Sequence, residues 1–340
     1  MESRQKILEF LIPAYKRFDG AIKAARSIAN DISAYSLSDY VSIRIVDDAS
    51  PGVSRKLFSD SLSEYSEYVQ LELNQVNKGM SLNIFDMVRS SEASFCAILT
   101  DDDWLFPGCL VEIISCLERV VDCPEVGGVF TPRYSYLEDN SLHCVICRPF
   151  ERDTLIRPGP INSLRYSHNG FILTGFVFRP CLMAERDWRT NIQNSFFPVV
   201  NFWKILGSHS ILFVDRNWFH HTVLNHCHWE SWGSDVIEQR HRLYVDYMDA
   251  IAYMAQNSSG RGPFYLCLLP IFFCEVREYA RQIISYLHSD APSFFLQEHV
   301  FERRFAFWVS IFIVLLYVLF RVLAVMVANL ACTLLVLFDF

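Results

Sequence analysis

The sequence predicts an α/β fold with a doubly wound, mainly parallel sheet, followed by a C-terminal helical region and a hydrophobic membrane tail. Two observations predict the sheet. Short apolar runs of strand length alternate with stretches whose apolar residues recur at helical spacing, and polar residues follow three of the apolar runs. A third observation predicts the tail, because residues 305–338 are almost wholly apolar.

The first 131 residues supply the alternating elements. Strands are predicted at about 7–12, 41–46, 69–73, 95–99 and 127–131, and helices at about 19–32, 53–65, 81–90 and from 107 onward. The segment Asp-Asp-Ala-Ser-Pro-Gly after the second strand has the composition of a turn. Because parallel strands end at one edge of a sheet, we expect Pro13, Asp48 and Asp101 at a common ligand-binding edge.

Three consecutive carboxylates, Asp101, Asp102 and Asp103, follow the predicted strand 95–99. Adjacent anions repel one another, so a fold that keeps three of them at a strand end needs positive charge to neutralise them. A hard divalent cation with oxygen ligands would supply that charge. The alternative is a solvated acidic loop in front of a helix.

Four short motifs, in their order and spacing, resemble the nucleotide-binding half of family 2 glycosyltransferases, which have the Rossmann-like GT-A fold. The motifs are Ile12-Pro13-Ala14-Tyr15, Val46-Asp47-Asp48-Ala49-Ser50, Asn77-Lys78-Gly79 with Asn83, and Leu99-Thr100-Asp101-Asp102-Asp103. The resemblance covers about residues 5–130. Chain length, the Thr-Asp-Asp-Asp form and the tail look most like bacterial O-antigen transferases of the abequosyltransferase type.

The resemblance implies where the nucleotide of the donor would bind. Pro13 and Tyr15 would line the nucleobase pocket, and Asp48 would hydrogen-bond the base. Asn77 and Gly79 would approach the nucleotide, with the glycine allowing close backbone contact.

The resemblance also implies a divalent cation, Mg²⁺ or Mn²⁺, on the donor diphosphate. Asp101 would face the ribose, and Asp102 or Asp103 would hold the cation. The run of three leaves the register open, because either adjacent pair or the outer pair could fill the motif. His221 or His220 could add a nitrogen ligand, which suits Mn²⁺ better than Mg²⁺. The alternative for these histidines is a polar loop that contacts the acceptor or solvent.

The resemblance does not identify the catalytic base. Family 2 enzymes often carry a Glu-Asp pair after the apolar segment that residues 169–179 resemble, but the corresponding place here, residues 196–203, has no carboxylate. Asp187 is our first choice for the base, because it follows the matching segment. Glu230 is the alternative, because it lies beside a cluster of four histidines, His220, His221, His226 and His228.

Composition and charge narrow the class of protein. The chain has 340 residues, a net charge of −8 and no basic stripe interleaved with aromatic residues, which argues against nucleic-acid binding. Arg303 and Arg304 precede the apolar run and fit a cytoplasmic flank. We predict a nucleotide-sugar-binding half at 1–133, an acceptor-binding half at 134–235, a helical region at 236–302 and a membrane-associated tail at 303–340.

These features predict an inner-membrane glycosyltransferase with a cytoplasmic catalytic domain. It would transfer a hexosyl or deoxyhexosyl group from a nucleotide-diphosphate sugar to a membrane-held acceptor, a lipid-linked O-antigen oligosaccharide. The resemblance implies that the transfer inverts the configuration. The alternatives are a capsule or glycolipid transferase, and a non-catalytic membrane-anchored nucleotide-sugar binder. For the tail, a long tilted helix, a re-entrant hairpin, an interfacial helix and a buried core helix all stay open.

Overall fold

The computed structural model describes residues 5–52, 55–137, 141–170, 173–183 and 194–222, together with positions 246, 250, 253, 254 and 257. The chain divides into two compact units, Met1–Asn257 and Ser258–Phe340, and every described residue belongs to the first. None of the helices in the described ranges is long and apolar enough to cross a membrane. The predicted tail, 303–340, lies outside the described residues.

The described part of the chain alternates strands and helices from its first residues onward. The strands are β1 (Leu8–Ala14), β2 (Val41–Asp47), β3 (Val69–Leu73), β4 (Phe95–Ile98), β5 (Trp104–Leu105), β6 (Val126–Phe130), β7 (Arg133–Tyr136), β8 (Leu142–Cys147), β9 (Thr154–Ile156), β10 (Phe176–Phe178), β11 (Ser210–Phe213) and β12 (Phe219–Thr222). The α-helices are α1 (Phe18–Tyr35), α2 (Arg55–Ser61), α3 (Met80–Arg89), α4 (Cys109–Glu118), α5 (Pro160–Tyr166) and α6 (Phe197–Ser208). Short 3-10 turns lie at Ser63–Tyr65, Ser167–Gly170 and Pro180–Leu182.

Eight strands form the central sheet, in the order β3-β2-β1-β4-β10-β6-β11-β9. The first four run parallel to one another, and β6 and β11 form another parallel pair. Strand β10 runs antiparallel between β4 and β6, and β9 runs antiparallel to β11 at the edge. The predicted mixed α/β fold with a mainly parallel sheet is therefore confirmed.

A second sheet has the order β5-β12-β7-β8. Strand β12 runs antiparallel to β5 and parallel to β7, and β8 runs antiparallel to β7. Strand β5 begins directly after Asp103, and β12 contains His221. This sheet therefore brings the acidic loop, residues 100–103, and the predicted ligand His221 together.

The central sheet is buried on both faces, as a doubly wound sheet must be. Successive side chains of β1 alternate between the two faces: Phe10 packs in the cluster that contains Ile28 of α1, whereas Leu11 packs in the cluster that contains Ile84 of α3 and Phe202 of α6. The apolar stripe that predicted α1 from the sequence is the stripe that covers the sheet.

Candidate functional site

The carboxyl ends of β1, β2 and β4 lie side by side, because β1 pairs with both of the other strands. Asp48, the residue after β2, donates its backbone N–H to the carbonyl oxygen of Ala14 over 2.8 Å. The backbone N–H of Lys16 donates to Ser50 Oγ over 2.7 Å. The loops after β1 and β2 are therefore joined at the edge where open α/β sheets bind ligands.

Asp48 organises the loop that follows β3. Its Oδ1 accepts hydrogen bonds from Asn74 Nδ2 at 2.8 Å and from the Lys78 backbone N–H at 2.9 Å. Its Oδ2 accepts the Gly79 backbone N–H at 2.8 Å. Both carboxylate oxygens of Asp48 therefore accept hydrogen bonds from the protein itself. The expected hydrogen bond to a nucleobase stays a prediction, and the structure adds that Asp48 shapes the loop that carries Asn77 and Gly79.

Gly79 directly precedes α3 and has a φ of +83°, in the left-handed region that favours glycine. A Cβ at this position would meet nothing within 4 Å, so backbone conformation and not crowding explains the residue. Asn77 Oδ1 accepts the Gly79 N–H at 2.8 Å and fixes that conformation.

The residues predicted to line the nucleobase pocket lie at the end of β1. Pro13 is paired with Val46 of β2, and Tyr15 follows the strand with its side chain half-buried. The Nζ of Lys16 lies 5.0 Å from the centroid of the Tyr15 ring. Both predicted residues therefore lie at the same sheet edge as Asp48, and their contact with a base stays a prediction.

The first two carboxylates of the triplet are paired with Arg17. Its Nε donates to Asp101 Oδ2 over 3.0 Å, its Nη2 contacts Asp101 Oδ1, and its Nη1 lies 3.0 Å from Asp102 Oδ2. Burial raises the pKa of Asp101 to about 7, although the charge of Arg17 opposes the shift. Arg17 was not predicted from the sequence as a site residue. The available signal was a basic residue three positions after the end of β1, at the edge where the triplet lies.

Asp103 has a separate set of partners. Its Oδ1 accepts the backbone N–H of Thr222 at 3.1 Å, and its Oδ2 lies 2.8 Å from Thr100 Oγ1 and 3.2 Å from His221 Nδ1. Burial alone would raise the pKa of Asp103, but His221 and the hydrogen bonds outweigh burial and lower the pKa. Asp103 is therefore a buried, ionised carboxylate that joins the acidic loop to β12.

The two candidate histidine ligands have different surroundings. His220 is fully buried and stacks on the rings of Trp104 and Tyr136, with centroid separations of 3.6 and 4.7 Å. Burial lowers the pKa of His220 to about 4. His221 Nδ1 contacts Asp103, and its Nε2 is buried with no hydrogen-bond partner among the described residues. Of the two, His221 is the one that the structure brings to the acidic loop.

The arrangement fits a divalent cation in its ligand types. The oxygens of Asp102 and Asp103 are hard ligands, and the unpartnered His221 Nε2 is a nitrogen donor that Mn²⁺ accepts. Within the described ranges, no three His, Cys, Asp or Glu side chains are grouped closely enough to hold a metal ion. A Mg²⁺ site that uses one or two carboxylates together with substrate phosphates needs no such cluster.

Helix α1 positions the acidic loop. Ser27 Oγ accepts the backbone N–H of Leu105 at 3.0 Å, and Asp31 Oδ1 accepts that of Gly108 at 2.9 Å. Gly20 lies where the helix meets the loop, and a Cβ there would collide with the carbonyl oxygen of Asp101. The glycine thus permits a close approach that any larger residue would prevent.

A buried arginine ties the predicted acceptor half to the same loop. Arg133 is 1% exposed, its Nε donates to the carbonyl oxygen of Thr174 over 3.0 Å, and its Nη1 donates to that of Asn169. Burial lowers the pKa of Arg133 to about 10. Thr174 Oγ1 in turn accepts the backbone N–H of Thr100 at 3.2 Å. The loop before β10 is therefore connected to the loop after β4.

Both predicted catalytic bases, Asp187 and Glu230, lie outside the described residues, so the identity of the base stays a prediction. Residues 196–203, which lack a carboxylate, form the start of α6 and the residue before it. The next acid along the chain, Asp215, is held by Arg148 through contacts of 2.9 and 2.7 Å, which lower the pKa of Asp215. That pairing makes Asp215 a poor candidate for the base.

No protein-family model and no curated protein matches the sequence. Solved structures of S. aureus TarS share its fold. The structure of TarS 1–349 has a TM-score of 0.53 and 12% identity, over 77% of this chain and 69% of that chain. Its complex with UDP-GlcNAc gives a TM-score of 0.56 at 14% identity, over 77% and 70% of the two chains. Its complex with UDP gives a TM-score of 0.51 at 13% identity, over 77% of this chain and 69% of that chain. This likeness supports the predicted GT-A fold and carries no sugar or acceptor specificity.

Proposed function

We propose that the chain is a glycosyltransferase that uses a nucleotide-diphosphate sugar as its donor. The observation that carries the proposal is the meeting of the Asp48-organised loop and the Asp101–Asp103 triplet at the carboxyl edge of a parallel sheet. The shared fold adds support, since TarS structures include complexes with UDP and UDP-GlcNAc. Donor binding at this edge would place the diphosphate near the triplet.

The roles of the site residues follow from their chemistry. Asp102, Asp103 and His221 are the side chains that would supply ligands for Mg²⁺ or Mn²⁺, with the phosphates of the donor completing the site. The charge of the cation would stabilise the departing nucleoside diphosphate. Asp187, or alternatively Glu230, would remove the proton from the acceptor hydroxyl. Attack from the face opposite the leaving group would then invert the configuration at the anomeric carbon.

The acceptor in this proposal is a lipid-linked saccharide at the cytoplasmic face of the inner membrane, of the kind used in O-antigen assembly. The support is the sequence resemblance and the apolar run 305–338. Holding the site at the membrane would raise the effective concentration of a lipid-linked acceptor. A capsule or glycolipid transferase would use the same donor chemistry on another acceptor.

The first experiment tests donor turnover in the full-length protein. Release of nucleoside diphosphate is measured for a panel of nucleotide sugars, with and without EDTA, for wild type and the variants Asp102→Ala and Asp103→Ala. The control is Asp39→Ala, which removes an exposed carboxylate just before β2, at the opposite edge of the sheet. We expect turnover in wild type and the control, and loss of most turnover in the two site variants and in EDTA.

Full activity of both site variants, or full activity in EDTA, would contradict the cation role. Binding of nucleotide sugars without any turnover would identify the non-catalytic binder instead.

The base is tested by comparing Asp187→Asn with Glu230→Gln, because loss of a general base lowers kcat by roughly 10² to 10⁴. The donor dissociation constant should change little in whichever variant has lost the base.

A further inference from the structure

The guanidinium of Arg17 lies between the carboxylates of Asp101 and Asp102 and contacts both of them. Three of its nitrogens contact three carboxylate oxygens: both oxygens of Asp101, and Oδ2 of Asp102 at 3.0 Å. The two carboxylate side chains are 4% and 16% exposed, so water screens these contacts only weakly. Arg17 thus provides on the chain the neutralising charge that the triplet requires.

The position of Arg17 is set by its surroundings. It directly precedes α1, and its carbonyl oxygen accepts the backbone N–H of Ala21 at 3.1 Å. The preceding residue, Lys16, has a φ of +61° and is fixed through its N–H to Ser50. The turn that holds this conformation directs the Arg17 fork toward the acidic loop and leaves its side chain 27% exposed.

A divalent cation and the guanidinium cannot use the same oxygen lone pairs at the same time. They also repel one another, since both are positive. The Arg17 side chain is 27% exposed, so a displaced guanidinium would have access to solvent. Asp103 has other partners, which are His221 and Thr222 of β12 and Thr100 of the acidic loop.

We propose that Arg17 is an internal counter-cation of the Asp101–Asp102 pair, and that a divalent cation must displace its guanidinium to bind these carboxylates. The inference rests on the proposed function in one respect, which is that Asp102 is a ligand of the divalent cation. Arg17 then keeps the acidic loop compact while the cation is away and weakens cation binding by competition.

The experiment is a titration of the purified full-length protein with Mn²⁺ in the absence of any donor, with free Mn²⁺ measured by electron paramagnetic resonance. The proteins are wild type, Arg17→Met, Arg17→Lys and the control Lys16→Met. The control removes the same charge one residue earlier, where the side chain lies over Tyr15 and not over the carboxylates. Because donor turnover is not measured, the result is independent of the glycosyltransferase proposal.

We expect Arg17→Met to bind Mn²⁺ at least about tenfold more tightly than wild type, within the usual range of coupling between two ligands of one site. Arg17→Lys should bind with intermediate affinity, since one ammonium cannot contact three oxygens at once. Lys16→Met should stay within about twofold of wild type, as an exposed charge is screened. Without Mn²⁺, Arg17→Met should melt at a lower temperature than wild type, and Mn²⁺ should raise its melting temperature more.

Unchanged Mn²⁺ affinity in both Arg17 variants would overturn the proposal, as would an equal gain in Lys16→Met. The absence of Mn²⁺ binding in all four proteins would overturn it too, because removal of the guanidinium would then not have opened these carboxylates to a cation. If Arg17→Met does not fold without Mn²⁺, the comparison of Arg17→Lys with wild type decides the question alone.

Discussion

Replacing Asp48 with asparagine tests whether this carboxylate organises the loop after β3. Wild-type Asp48 accepts hydrogen bonds from Asn74 Nδ2, Lys78 N–H and Gly79 N–H, with distances of 2.8 to 2.9 Å. An asparagine retains one oxygen, and its NH₂ group would face backbone N–H donors. A hydrogen bond to a charged group contributes about 1.5–3 kcal/mol, so losing one and weakening the others should lower the free energy of unfolding by about 3 kcal/mol.

The assay is thermal unfolding followed by circular dichroism, with Asp86→Asn as the control. Asp86 pairs with the Nζ of Lys78 at 2.7 Å, but its side chain is 43% exposed, and such pairs contribute about 0–1 kcal/mol. A domain of this size loses about 2–4 °C per kcal/mol, so Asp48→Asn should lower Tm by about 6–12 °C. An Asp48→Asn variant that melts with wild type would refute the reasoning, as would an equal loss in the control.

Three further predictions address the close approach of α1, the buried arginine and the tail. In urea unfolding, Gly20→Ala should lower the free energy of unfolding by about 2 kcal/mol, because its Cβ would collide with the acidic loop. The control Gly207→Ala lies in open space on α6 and should be neutral or stabilise the protein by up to about 1 kcal/mol, so equal effects of the two variants would contradict the collision. Arg133→Met should lower the free energy of unfolding by about 3 kcal/mol, because it leaves two carbonyl oxygens without donors, whereas Arg148→Met at an exposed ion pair should unfold like wild type. An Arg133→Met variant as stable as wild type would contradict the role of the buried guanidinium. A chain ended after Glu302 should leave the membrane fraction and keep a cooperative thermal transition. A truncated chain that does not fold would show that the tail belongs to the core.

The first four parallel strands could be predicted from sequence because each is an apolar run of ordinary length between helical patterns. Predicted strand 69–73 coincides with β3, and predicted strand 95–99 differs from β4 by one residue. The predicted helix 53–65 is shorter in the structure, where α2 is followed by the 3-10 turn Ser63–Tyr65. Ends of helices depend on local capping, which periodicity does not report.

The position of β10 could not be predicted in the same way. Its three residues, Phe176–Phe178, form an apolar run too short to show a period or a direction. Its place between β4 and β6 depends on pairing with strands 46 to 82 residues earlier in the chain, such as Phe178 with Cys96 and with Gly128. The second sheet was missed for a related reason, since β5 has two residues and is defined only by its pairing with β12.

In the site, too, groups that are adjacent in sequence could be predicted, whereas contacts between distant residues could not. The triplet was visible because its three carboxylates are adjacent in sequence. The contact between Arg17 and Asp101 spans 84 residues and depends on the left-handed conformation of Lys16, which no sequence pattern reports. The pairing of His221 with Asp103 spans 118 residues, and only the adjacent pair His220-His221 was apparent in the sequence.

Charge balance reconciles the cation expected from the sequence with the arginine found in the structure. The requirement for positive charge at the triplet follows from mutual repulsion of three anions. Arg17 provides one positive charge to a pair that carries two negative charges when both members are ionised, so Arg17 alone does not neutralise the ionised pair. Asp103 has its own partner in His221, which contributes positive charge only when it is protonated. The acidic loop can therefore fold with the charges of the chain alone. Under the proposal above, a divalent cation that displaced the guanidinium would bring two charges to the same oxygens in place of one.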